Sequence, residues 1–383
     1  MRICLFDWNV DGHHAEVAKA FARALDPGAE VVLAAAEATI ASAGEIPAEA
    51  ISLGPGRPRP GDPHPSKQEL AAAELDLIEE TVGRVKPDHL ILLWADPVLR
   101  WLLKRPPLPT AVSLYVAFSS LHYPRLYKTP LSPKERLSAL YKELNLLRWT
   151  RRPDSHALFA LDPNAAKRWA RYPGAHAYGL GETPLNYLPN IPPPEQRSGC
   201  ILFGALDERK GIDRVAAALA EGCEGLELRL YGKPVGGYES RLEQEIARMR
   251  AGGVKVEARL ERIPYEEALD GIARSRVALL SFGWVPAGSR VLLEAAAAGT
   301  PVIGSTKGAV GHLIQAHDLG RAVDPDDTEG LRRAIQELAM APTPTQRYAD
   351  GLAAYARELG GERYRREIRS ALGLTLANTI PSR

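Results

Sequence analysis

The chain has 383 residues, with 48 Lys plus Arg against 47 Asp plus Glu and a formal net charge of +1. Hydrophobic residues make up 45% and charged residues 25%, a composition that excludes an intrinsically disordered or fibrous protein. The balanced charge gives no general attraction to nucleic acid, and the length predicts two domains.

Strand-like and helical segments alternate through the first half of the chain. "RICLFDW" (2–8) reads as a strand and "HAEVAKAFARAL" (14–25) as a helix, and the alternation continues to the strand "TAVSLYVAF" (110–118). This order predicts a doubly wound, Rossmann-like domain over residues 1–185. The Pro/Gly-rich loop at 54–67 is of the kind that lines a site.

A proline-rich stretch at 186–198 is interpreted as a linker, because a fresh alternation begins after it. This alternation predicts a second Rossmann-like domain over 199–360, and the tail at about 361–383 reads as an amphipathic helix that needs a packing partner. The predicted fold is therefore α/β, with two parallel sheets facing a cleft. Ligands of such sheets bind at the carboxyl ends of the strands.

Three cysteines, Cys4, Cys200 and Cys223, are widely spaced and odd in number. They are interpreted as reduced thiols of the core and not as a disulfide or zinc framework. The N-terminus enters a strand at once, and no apolar run reaches the roughly 18 residues of a membrane span. We therefore expect a cytoplasmic protein.

The segment "ILFGALDERKGID" (201–213) places two cations at the mouth of a helix. Gly204 ends the strand, and Arg209 and Lys210 lie just before the next helix. A phosphate there would meet backbone N–H groups and two charges that need no deprotonation. The alternative is a solvated turn.

The segment "SFGWVPAGSRVLLEAAAAGTPVIGS" (281–305) predicts a helix from about residue 289 to 298. Its amino end is a candidate diphosphate site. Glu294 lies about 7 Å further along the axis, where it suits both hydroxyls of a ribose. The alternative is an ion pair of Glu294 with Arg290 on an exposed face. The candidate binding residues here are Gly288, Ser289, Arg290 and Glu294.

Lys210 and Glu294 in these segments, together with the two-domain pattern, resemble the retaining family 4 glycosyltransferases of GT-B fold. The resemblance covers the second half by motif and the first half by architecture. It implies transfer of a sugar from a nucleotide-diphosphate donor to an acceptor hydroxyl with retention, in envelope polysaccharide, glycolipid or secondary-metabolite glycosylation. It also implies Lys210 on the diphosphate, Glu294 on the ribose, no obligatory metal or cofactor, and a last helix that packs on the first domain.

Two positions depart from the family pattern. Pro286 stands where a first motif glutamate contacts the donor sugar, and Ala205 stands where an arginine is common. Arg209 is expected to supply the missing charge. The departures keep two alternatives open: a non-catalytic nucleotide-sugar-binding partner of the same fold, and a nucleotide-sugar epimerase.

Two histidine-bearing loops are expected to reach the cleft. In "WNVDGHHAEV" (8–17), which replaces the family's Gly-rich first turn, Gly12 and His13 are candidates beside the donor phosphates. The alternative is that one of the two adjacent histidines caps the helix and the other is solvated. His122 is by position the candidate near the donor sugar, and its alternative is stacking between neighbouring side chains.

Two charged segments receive structural interpretations. In "VDPDD" (323–327), Asp326 or Asp327 is read as a helix N-cap and not as a metal ligand. The basic helix at 132–152 is interpreted as a solvated helix packed through Leu137, Leu140, Leu144 and Leu147. Its alternative is weak peripheral contact with an anionic membrane that carries a lipid acceptor.

Overall fold

The structure is a computed structural model that describes residues 1–10, 14–57, 66–117, 121–127, 131–185, 187, 189–281, 289–341 and 345–375. The strands are β1 Arg2–Asp7, β2 Glu30–Ala35, β3 Glu49–Ser52, β4 His89–Leu92, β5 Ala111–Val116, β6 Ser155–Ala160, β7 Ala177–Gly179, β8 Cys200–Phe203, β9 Glu227–Tyr231, β10 Lys255–Arg259, β11 Val277–Leu280, β12 Val302–Ser305 and β13 Gly320–Val323. The helices are α1 His14–Leu25, α2 Glu37–Ala43, α3 Lys67–Val85, α4 Leu99–Leu102, α5 Tyr123–Leu126, α6 Pro133–Trp149, α7 Pro163–Trp169, α8 Ile212–Leu219, α9 Glu239–Ala251, α10 Tyr265–Ala273, α11 Arg290–Ala297, α12 Gly308–His317, α13 Thr328–Ile335, α14 Ala349–Glu358 and α15 Gly361–Ala371.

The chain divides into two compact units. The first unit comprises Met1–His122, Leu131–Pro184 and Leu359–Arg383, and the second comprises Tyr123–Pro130 and Leu185–Glu358. The short segment Tyr123–Pro130 lies with the second unit because Tyr123 and Tyr127 pack against Ala309.

The first unit is a parallel sheet in the order β3-β2-β1-β4-β5-β6-β7. Alternate residues of each strand point to opposite faces, so Cys4 and Phe6 enter one buried cluster, and Ile3 and Leu5 enter the other. Helices cover both faces. The strand order reverses between β1 and β4, and the carboxyl ends of these two strands therefore form the topological switch point of this sheet.

The last helix, α15, packs on α1 in the first unit. The ring of Tyr364 meets that of Phe21 edge-on at 5.7 Å. Arg369 is buried and donates from Nη1 to the carbonyl of Pro27 at 2.8 Å, just beyond the end of α1. The guanidinium thus satisfies backbone carbonyls that the helix end leaves without an intrahelical donor.

The second unit is a parallel sheet in the order β10-β9-β8-β11-β12-β13, and its switch point lies between β8 and β11. Asp327 caps α13 by accepting from the backbone N–H of Gly330 at 2.8 Å, as predicted. The three cysteines are buried free thiols, also as predicted.

One prediction about α6 is wrong. The helix begins with a capping box between Ser132 and Glu135 and buries Leu146. Three of the four leucines predicted to pack it are instead exposed: Leu137 at 70%, Leu140 at 45% and Leu144 at 44%. Among the helices that the structure describes, none is long and apolar enough to cross a membrane.

Candidate functional site

The loop from β8 to α8 lies at the switch point of the second sheet and is fixed by two glycines. Gly204 has φ +112° and Gly211 has φ +65°, conformations that favour glycine. A Cβ on Gly211 would lie 2.2 Å from the carbonyl oxygen of Ser281, at the end of β11. In return, the Ser281 hydroxyl donates to the carbonyl of Lys210 at 2.8 Å. The backbone at Gly211 therefore approaches the end of the neighbouring strand closely.

Lys210 turns back over the end of β8. Its Nζ donates to the carbonyl of Phe203 at 2.9 Å, and a Cβ on Gly204 would lie 2.9 Å from the same nitrogen. Burial lowers the pKa of Lys210 to about 8, although the carboxylates of Asp207 and Glu294 oppose this shift. The ammonium is thus a poorly solvated charge, which gains more than an exposed lysine from meeting an anion.

Arg209 occupies a different environment from Lys210. Its side chain is 82% exposed and forms an ion pair with Asp207, with Nη2 and Oδ2 2.5 Å apart. Asp207 also accepts from the Arg209 backbone N–H at 3.0 Å, so one carboxylate binds both the backbone and the guanidinium. Nε and Nη2 of Arg209 both donate to Oδ2 of Asp207, so this carboxylate fixes the direction of an otherwise exposed guanidinium.

Glu294 and Arg290 form a buried pair on α11. The side chains are 2% and 4% exposed, and Arg290 Nε lies 3.2 Å from Glu294 Oε1. Arg290 also donates from Nη2 to the hydroxyl of Tyr265 at 3.1 Å. Burial raises the pKa of the Glu294 carboxyl, against the opposing effect of Arg290. The i, i+4 pair considered from the sequence therefore forms, but on a buried face and not on an exposed one.

Glu294 has two oxygens in different situations. Oε1 meets Arg290, and the Tyr265 hydroxyl is near enough to the carboxylate to oppose the rise of its pKa, whereas Oε2 is buried and receives no hydrogen bond of normal geometry from the described residues. Buried carboxylate oxygens are normally hydrogen-bonded, so we expect a ligand to donate a hydrogen bond to Oε2. Glu294 also lies near enough to Lys210 for their charges to interact.

Five of the predicted donor residues thus come together in the second unit, at the carboxyl edge of its sheet. These are Gly204, Arg209, Lys210, Arg290 and Glu294. Ser289 precedes α11 as its N-cap residue and makes no side-chain cap bond. Gly288 and Pro286, like Gly12 and His13, lie outside the described residues.

His122 lies in the first unit and is oriented by a carboxylate. Its Nε2 is 2.7 Å from Oδ2 of Asp162, and both side chains are nearly buried. Asp162 in turn caps α7 through Asn164 N at 2.8 Å, so the carboxylate is itself held in place. The sequence suggested stacking as the alternative for His122, whereas the structure gives it an acidic partner 40 residues away.

A second histidine–aspartate pair was missed by the sequence reasoning. His14 Nδ1 lies 2.7 Å from Oδ2 of Asp7, and Oδ1 of Asp7 accepts from Asn9. The His14 ring meets Trp94 edge-on at 4.9 Å. The available signal was an acidic residue at the end of the first strand, since that strand borders the switch point.

A buried ion pair lies beside Asp7. Arg57 Nη1 is 2.6 Å from Oε2 of Glu74, which α3 supplies. Burial raises the pKa of Glu74 to about 7 against the effect of Arg57, and the Asp7 carboxylate adds to the rise. Within the described ranges, no three His, Cys, Asp or Glu side chains are grouped so that they could hold a metal ion.

Comparison with known proteins gives a family match and a set of structural matches. Residues 197–340 match the family model described as Glycosyl transferases group 1. No curated protein is significantly similar in sequence.

The structural matches extend over almost the whole chain. HepE from Anabaena, solved with UDP-glucose, has a TM-score of 0.67 at 16% identity, covering 97% of this chain and 99% of that one. Sucrose-phosphate synthase from Thermosynechococcus elongatus has a TM-score of 0.63 at 18% identity, covering 97% and 94%. The GT-B fold predicted from the sequence is therefore confirmed, and the match over residues 197–340 identifies a glycosyltransferase domain in this chain.

Proposed function

We propose that the protein transfers a glycosyl group from a nucleoside-diphosphate sugar to an acceptor hydroxyl, with retention of configuration. The observation that carries this proposal is the juxtaposition of half-buried Lys210 with the buried Arg290–Glu294 pair, at the switch point of the second sheet. A poorly solvated ammonium beside a buried carboxylate suits a molecule with a diphosphate at one end and ribose hydroxyls at the other.

Lys210 holds the diphosphate in this proposal. Negative charge grows on the leaving diphosphate as the glycosidic bond breaks, and a poorly solvated ammonium stabilises that charge more than it stabilises the substrate. The exposed guanidinium of Arg209 adds a second cation, and backbone N–H groups at the start of α11 add their dipoles. These groups supply the electrostatic stabilisation without a metal ion.

Glu294 binds the ribose through the oxygen that lacks a described donor. Because the side chain is only 2% exposed, its neighbours must move to admit the hydroxyls. Part of the binding energy of the donor covers this movement, and the Arg290 contact on the other oxygen keeps the carboxylate in place.

His122 is proposed to position a hydroxyl of the transferred sugar, with Asp162 fixing the ring. Replacing Asp162 by Asn preserves an N-cap for α7 but removes the anionic partner of the imidazole. We expect kcat of Asp162→Asn to fall while its nucleotide Kd stays unchanged. A variant with the Kd and the kcat of the wild type would remove His122 from the mechanism.

The choice of donor base begins with uracil, because the structural neighbour HepE has been solved with UDP and with UDP-glucose. The cytoplasm, where such donors are made and thiols stay reduced, is the proposed location. The motif positions of Lys210 and Glu294 support the proposal that the protein is a family 4 enzyme.

Thermal unfolding with UDP, GDP, ADP and TDP tests the donor site. A ligand at 100 times its Kd adds about 2.7 kcal/mol of stability, a shift of some degrees. We expect one nucleotide to stabilise the wild type and the control Lys255→Met, an exposed lysine of the same unit, but not Lys210→Met. Stabilisation of all three proteins alike would exclude Lys210 from the site.

Turnover of the matching nucleotide sugar then separates the three candidate functions. Release of the nucleoside diphosphate with transfer to water or an added alcohol identifies the transferase. Binding with no turnover identifies the non-catalytic partner, and interconversion of the free nucleotide sugar identifies the epimerase.

A further inference from the structure

The outer face of α6 exposes an apolar stripe. Leu137, Leu140 and Leu144 are 70%, 45% and 44% exposed, and Tyr141 is 44% exposed. Their spacing of three, four and seven residues places them on one face of the helix. Leu146, on the other face, is buried in the core of the first unit. A second apolar stripe of the same helix is therefore left largely exposed to solvent.

The same face of the molecule is basic. Four exposed cationic residues lie along α6 and just beyond it: Lys134, Arg136, Arg148 and Arg151. The acidic residues of this helix are engaged elsewhere. Glu135 closes the capping box with Ser132, and Glu143 is buried against Tyr172. The leucines are thus bordered by cations, and the carboxylate of Glu135, on the same turn as Lys134 and Arg136, is held in the capping box by Ser132.

The neighbouring helix α4 extends this surface with an aromatic and two more cations. Arg100 lies 4.6 Å from the ring centroid of Trp101 and 5.8 Å from that of Tyr141. Lys104 Nζ lies 4.3 Å from the Trp101 centroid. Tryptophan and tyrosine beside Lys and Arg are the residues that anchor proteins at the headgroup level of a bilayer.

We propose that this basic apolar face, Leu137, Leu140, Tyr141 and Leu144 with Trp101 and the surrounding Lys and Arg residues, docks on the anionic surface of a lipid bilayer. The helix would lie in the plane of the interface, with the leucines among the acyl chains and the cations among the headgroups. A protein partner is disfavoured because lysine is depleted at protein interfaces, whereas Lys134 and Lys104 both border this stripe. The proposal does not depend on the donor site, since bilayer binding needs no nucleotide.

Co-sedimentation of the full chain with vesicles tests the proposal. The vesicles contain either phosphatidylcholine alone or phosphatidylcholine with roughly one anionic phosphatidylglycerol in every three lipids. We expect binding only to the anionic vesicles, weakening as salt rises, because each basic residue near such a surface contributes about fivefold to the binding constant.

Two pairs of substitutions at exposed positions address the two components. Leu137→Asp with Leu144→Asp removes the apolar contact, and Lys134→Glu with Arg148→Glu reverses the charge; each pair is expected to lower vesicle binding by at least about 30-fold. The matched controls, Ile191→Asp with Met340→Asp and Lys255→Glu with Arg333→Glu, make the same changes elsewhere and should bind normally. Unchanged thermal midpoints establish that all variants fold.

Three results would overturn the proposal. The first is that the wild type does not bind anionic vesicles. The second is that Leu137→Asp with Leu144→Asp binds them as tightly as the wild type. The third is that the control variants lose as much binding as the α6 variants. A concentration-dependent dimer in sedimentation velocity that only Leu137→Asp with Leu144→Asp abolishes, without vesicle binding, would assign the face to a second copy of the chain instead.

Discussion

The buried pair of Arg290 and Glu294 offers a test that separates a structural role from a binding role. Glu294→Gln keeps the size of the side chain but leaves the Arg290 guanidinium buried beside a neutral amide. Removing one partner of a buried ion pair costs about 3–5 kcal/mol, because the remaining charge is uncompensated. We expect the free energy of unfolding to fall by that amount.

The double variant Arg290→Met with Glu294→Leu should behave differently. Replacing both partners of a buried pair by apolar side chains of similar volume is often neutral or stabilising by about 1–4 kcal/mol. Stability should therefore return to near the wild-type value. Nucleotide affinity should not return, because a hydrogen bond to a charged group is worth about 1.5–3 kcal/mol, which corresponds to about 10- to 150-fold in Kd.

Guanidinium unfolding gives the stabilities, and calorimetric titration with UDP, or with the nucleotide that stabilises the wild type, gives the affinities. The reasoning predicts a stable double variant with weak binding. A double variant that is stable and binds within twofold of the wild type would show that Glu294 serves the fold alone. A double variant as unstable as Glu294→Gln would refute the account of the buried pair.

Three further results are expected from the titrating and buried groups. Because the pKa of Lys210 is lowered to about 8, the ammonium loses its charge as pH rises through 8. The nucleotide Kd should therefore rise by up to about tenfold per pH unit above that value. Lys210→Arg stays charged and should give a Kd that does not change with pH in the same titration. The pKa of Glu74 is raised to about 7 from an ordinary 4.5, so the folded state holds the proton more tightly, and stability is lost as pH rises between these values. The unfolding free energy of the wild type relative to Glu74→Gln should fall by about 3 kcal/mol from pH 4.5 to 7. A difference that does not change with pH would contradict the raised pKa. Arg369→Met should lower the unfolding free energy by about 2–4 kcal/mol because it removes the donor to the carbonyl of Pro27 and to that of Thr375, whereas the exposed Arg366→Met should stay within about 0.5 kcal/mol.

Local features of the chain could be predicted from the sequence because they depend on neighbours in sequence. The alternation of strand and helix periods determines two parallel α/β sheets, since a parallel connection needs a crossover helix. The cap at Asp327 and the end of α11 before Gly299 depend on backbone groups a few residues away. Lys210 and Glu294 could be identified by the same local reasoning. Lys210 lies in the loop just after a strand, and Glu294 lies within the helix that follows another strand.

The contacts that decide the candidate site depend on strand order and on which helix face is covered. Ser281 meets Lys210 because β8 and β11 are neighbours, and His122 meets Asp162 from a position 40 residues away. Helical periodicity in α6 predicts two apolar stripes. The pattern indicates which residues share a face, but it does not indicate which face packs against the sheet. The sequence by itself therefore determined the elements and the class of the fold; only the tertiary structure decided that Glu294 is buried with Arg290 and that Leu137 faces outward, because long-range packing alone sets which surfaces lose contact with water.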